Sequence, residues 1–112
     1  MSVKQPSWKS LQHAADLQQK SADHTKAIEL YTQALAQPGI PWEAVVNMTL
    51  AAASSLKMLG RFMLADAHLT GLAKKAAERG DDVTIVRAYA ELLFILRRSG
   101  GLKRGLQLAQ DA

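Results

Sequence analysis

Three histidines, a serine pair and an aspartate pair are the residues of this chain with ligating or catalytic chemistry to offer. His13, His24 and His68 carry imidazole nitrogens, but no two stand three or four residues apart. A zinc site needs three or four converging donors, so the expectation is no metal site. The chain has no cysteine, which removes thiolate ligands, thiol nucleophiles and any disulfide framework. Ser54 and Ser55 could attack an acyl group only beside a base, and no histidine or acid stands near them in sequence. They read instead as small residues for close helix contact. Asp81 and Asp82 read as a helix start before a carboxylate pair. Gly100, Gly101 and Gly105 lack the preceding strand and the Lys-Ser/Thr of a phosphate-cradling loop. No enzyme and no cofactor are expected.

The elements that would position these residues are all helical. The 112 residues include 19 alanines and 16 leucines, while β-branched and aromatic residues are sparse. That composition favours helix and offers no run that reads as a strand. Ser7 can cap a first helix, which is expected to run to Ala22 with Trp8, Leu11, Ala14, Ala15 and Leu17 as its apolar stripe. Asp23 caps a second, to Gln37, where Pro38-Gly39-Ile40-Pro41 stops it. A third runs from Pro41 to Leu59, a fourth from Phe62 to Arg79, and a fifth from Asp81-Asp82 to Arg98. The glycines Gly60, Gly80 and Gly100-Gly101 end them, and a sixth helix starts near Leu102.

The formal charge is +4 with a pI near 9.6, spread along the chain without forming a tail. Residues Met1 to Lys9 hold no apolar h-region, and the most apolar stretch, Ala88 to Leu96, is too short to span a bilayer. A cytoplasmic protein with no membrane partner is the expectation.

One arrangement recurs. Ala27, Tyr31 and Ala34 share a helix face, and their small–large–small order lets a second helix approach closely around one ring. Ala65, Leu69 and Leu72 repeat it, and Gly105 with Ala109 repeats it more weakly, at intervals of about 38–40 residues. Leu59-Gly60-Arg61-Phe62 precedes the second copy, and Gly100-Gly101-Leu102 the third. Ahead of these, Leu11, Ala14, Ala15 and Gln18, then Thr49, Ala52, Ala53 and Leu56, then Tyr89, Leu92, Leu93 and Leu96 keep a common spacing.

These motifs resemble the tetratricopeptide repeat family over nearly the whole chain, in the degenerate form found in bacterial regulatory and signalling proteins. The repeats run longer than the family's usual length of roughly 34 residues, and the third is truncated. The resemblance implies an α-solenoid of three antiparallel helix pairs in a right-handed superhelix. It would be a single domain over 1–112, with repeats at 7–39, 41–80 and 81–112. It implies a core of Leu11, Ala15, Ala27, Leu30, Tyr31, Ala34, Ala52, Ala53, Leu56, Phe62, Ala65, Leu69, Tyr89, Leu92, Leu93 and Leu96. Met48 and Met63 read as core fillers, and Met58 as a residue of an open face.

Carried onto this chain, the family's concave groove takes Lys9, Gln12, Asp16, Gln19 and Lys20 from the first helix. Asn47, Leu50, Ser54, Lys57 and Met58 come from the third, and Arg87, Ala90, Phe94, Arg97 and Arg98 from the fifth. Cations outnumber acids among them, which favours an acidic peptide or protein partner. The chaperone-binding clamp of the family is not reproduced, since Gln12 and Asp16 replace its lysine and asparagine. The function expected is a non-catalytic protein–protein interaction scaffold, part of a longer regulatory protein, binding a peptide or a neighbouring domain. The alternative is nucleic-acid binding through the basic helix face, which lacks interleaved aromatic stacking positions. Leu102, Leu106, Leu108 and Ala109 add the expectation of self-association through the C-terminal helix.

Overall fold

The computed structural model describes residues 7–98, and among these it is all-helical, with no strand. The helices are α1 (Trp8–Lys20), α2 (His24–Leu35), α3 (Trp42–Met58), α4 (Phe62–Arg79) and α5 (Asp82–Arg98). They gather into two compact units, one ending at Gly60 and holding α1–α3, the other starting at Arg61 and holding α4 and α5. The expected helix from Leu102, and the weak pattern at Gly105 and Ala109, lie outside the described residues.

The starts follow the capping residues. Ser7 accepts from the Ser10 amide at 3.2 Å, and Asp23 from the Lys26 amide at 3.2 Å. Asp81 accepts both the Thr84 amide and the Thr84 hydroxyl, at 3.1 and 2.5 Å. Each bond from an amide satisfies a first-turn donor that the helix cannot pair internally. The ends need a left-handed residue. Gly80 takes φ +69 and turns its amide back to α4, a conformation a side chain resists. At the α1–α2 turn the same role falls to Ala22, φ +62, at a strain cost of about 1–2 kcal/mol. That reversal leaves α2 packed closely along α1.

In the first unit Leu11 and Ala15 of α1, Ala27, Tyr31 and Ala34 of α2, and Met48 and Ala52 of α3 form one buried cluster. Trp8, Leu30, Leu35, Ile40, Ala44 and Ala51 close over it. The alanines bring the helix axes near enough for the Tyr31 ring to fill the space between them. In the second unit α4 buries Ala65, Leu69, Leu72, Ala73 and Ala76, and α5 buries Thr84, Ala88 and Ile95.

Several expectations change here. Leu30, Phe62, Leu92 and Leu96 are half-buried. Tyr89 and Leu93, expected in the core, are 57% and 61% exposed. The repeat frame aims α5 through these two, but its packed arc runs through Thr84, Ala88 and Ile95, about 100° or more around the helix from either. Met63, expected as a core filler, is 84% exposed, whereas Met48 is fully buried.

Candidate functional site

At the junction of α1, α2 and α3 three polar side chains from different helices meet. Gln19 of α1 donates from Nε2 to the Ala51 carbonyl at 2.8 Å and to the Ser55 Oγ at 2.9 Å. His24, in the first turn of α2, places Nδ1 at 2.9 Å from the same oxygen, and the pair shares one hydrogen. A serine and a histidine thus meet although 31 residues separate them, which the sequence spacing gave no means of seeing. Ser55 is 0% exposed, so no substrate atom reaches its oxygen. The contact joins three helices by satisfying buried polar groups, and no buried side-chain polar atom among the described residues lacks a partner.

A second polar link ties α2 to α1. The Tyr31 hydroxyl donates to the Asp16 carboxylate in a short hydrogen bond. Burial, then the bond to Asp16 and the nearby negative charge, hold the Tyr31 hydroxyl well above its ordinary value of 10.0. The folded chain therefore keeps this proton more tightly than the unfolded chain, and the contribution is present below pH 10 and lost as pH rises beyond it. Urea midpoints measured as pH rises above 10 should fall more steeply for the natural chain than for Tyr31→Phe. Parallel curves would show that Tyr31 ionises as easily in the fold as outside it.

No three histidine, aspartate or glutamate side chains among the described residues come together as a metal site. His13 and His68 are exposed on α1 and α4.

The expected groove residues lie on the outer sides of their own helices, with two exceptions. On α1, Lys9 and Lys20 are exposed and Gln12 is half-buried. Asp16 holds Tyr31, and Gln19 is engaged with α3. On α3, Asn47, Ser54 and Met58 are exposed, with Leu50 and Lys57 half-buried beside them. Gln19 brings α1 against α3, so these two sets belong to one unit. On α5, Arg87, Ala90, Phe94, Arg97 and Arg98 are all exposed, and the Arg98 guanidinium sits 5.4 Å from the centre of the Phe94 ring.

The sequence reading missed how apolar the outer side of α5 is. Val83 and Val86 are 70% and 67% exposed and join Leu93 and Phe94 in an uncovered stripe. An open depression lies at its start, lined by Asp82, Val83, Val86 and Arg87. The signal was present, because Val83, Val86, Ala90 and Leu93 recur at steps of three and four. No helix of the described residues is long and apolar enough to cross a membrane.

No protein-family model matches the chain, and neither does any curated protein or solved structure.

Proposed function

We propose that this chain is a protein–protein interaction scaffold of tetratricopeptide-like design, built from antiparallel helix pairs and without catalytic activity. The observation that carries this reading is the set of large apolar side chains held in water beside cations: Met58 on α3, and Val83, Val86, Leu93 and Phe94 on α5 among Arg87, Arg97 and Arg98. Uncovered apolar surface of this kind costs solubility and is characteristic of surfaces that meet other proteins. The burial of Ala27, Tyr31 and Ala34, and of Ala65, Leu69 and Leu72, supports the repeat design. The basic side chains favour a peptide or neighbouring domain that carries carboxylates.

The test is binding of the full chain to an array of acidic and neutral peptides, read by fluorescence anisotropy. Acidic peptides should bind more tightly, and Lys9→Glu with Lys20→Glu should weaken that binding. These exposed substitutions should leave stability within about 1 kcal/mol. Binding unaffected by the double reversal would place the peptide surface away from α1. Tight, steeply salt-dependent capture of random DNA or RNA in place of peptides would favour the nucleic-acid alternative.

A further inference from the structure

The outer side of α5 is self-complementary, and we propose that it pairs antiparallel with the same helix of a second copy of this chain. The inference rests on the interaction-scaffold reading and names one partner of it.

α5 is apolar on two sides. One side packs Thr84, Ala88 and Ile95 into its own unit. The other carries Val83, Val86, Ala90, Leu93 and Arg97, alternating steps of three and four residues, which keeps them on a single seam along the helix. A helix that is apolar on both sides sits between two neighbours. The described residues supply α4 as one of them.

Charge selects what the second neighbour is. Exposed Asp82 stands in the first turn of α5, and exposed Arg97 and Arg98 stand in the last. A parallel mate of the same sequence would set acid on acid and base on base. An antiparallel mate sets each Asp82 beside the Arg97 of the other copy, twice by symmetry, and also opposes the two helix dipoles. Ala90 lies midway between Val83 and Arg97, so the two-fold axis passes at the smallest residue of the seam, where two backbones can approach closely. Val86 of one copy then faces Leu93 of the other. The depression lined by Asp82, Val83, Val86 and Arg87 receives the incoming Arg97, its apolar stem over Val83 and its guanidinium at Asp82. An unrelated helix would need an acid at one end and a base at the other in this spacing. A second copy brings both by symmetry.

Sedimentation equilibrium of the full chain across a concentration series, with helicity followed by circular dichroism, tests this. The expected result is a reversible dimer that Leu93→Glu abolishes without loss of helicity. Asp82→Arg or Arg97→Asp alone should weaken it by about tenfold or more, and the two together should recover most of that loss. A chain that stays monomeric throughout overturns the proposal. So does a double reversal no tighter than the singles, or a dimer indifferent to all three changes. If the chain is monomeric and Leu93→Glu lowers its melting temperature, residues 99–112 of the same chain cover this face instead, which also overturns it. Because Lys9 and Lys20 lie outside the seam, peptide binding and dimerisation are read separately and can fail separately.

Discussion

Tyr31→Ala is expected to cost the α1–α3 unit about 3–5 kcal/mol, the range for truncating a fully buried aromatic ring. Tyr31 is completely buried between alanines at 15, 27, 34 and 52, with Leu11 and Met48 completing the cluster. Alanine side chains are too short to collapse into the space the ring leaves, so a cavity persists. The variant also removes the bond to Asp16 that links α2 to α1. Hydrogen exchange resolved along the chain should show lost protection across residues 8–58. An exchange pattern unchanged there would mean that the ring is not the packing centre of this unit. Tyr31→Phe retains the ring and should fall well short of the alanine loss, which separates the packing contribution from the hydroxyl.

The opposite error, too much volume, gives the second large effect. Ala27→Leu and Ala65→Leu should each destabilise by about 1–3 kcal/mol, because close-packed helix faces have no space for added methylenes. Both positions are 0% exposed, one in each compact unit. Each substitution should therefore lower the urea midpoint of the unit that holds it. An enlarged residue tolerated at both sites, with midpoints unmoved, would remove the close approach on which the small–large–small reading of α2 and α4 depends. Ala67→Leu serves as the reference, since Ala67 is exposed on α4 and should be close to neutral.

How far the residues alone reach can be seen helix by helix. α1, α2, α4 and α5 begin where Ser7, Asp23, Gly60-Arg61 and Asp81 say they should, because capping and left-handed exits are local chemistry that involves only neighbours in sequence. The buried sides of α2 and α4 were also legible. Ala27, Tyr31, Ala34, Ala65 and Leu69 combine helical spacing with sizes that only a close contact uses. For α5 this kind of reading fails. Leucine, valine, isoleucine, phenylalanine and tyrosine surround most of that helix, so its sequence offers two apolar sides and no internal reason to prefer either. Packing against α4 decides that Thr84, Ala88 and Ile95 go inward and that Val83, Val86 and Leu93 stay out. The Gln19–Ser55–His24 junction was equally beyond reach, since its members come from three helices and meet only once those helices are stacked. Where helices start, where they stop and which faces can be buried are written in the local order of residues, because all three depend on contacts within a few positions. Which of two apolar sides is covered, and which distant polar groups pair, is fixed by helix packing, because both depend on a neighbouring helix whose position no local spacing encodes.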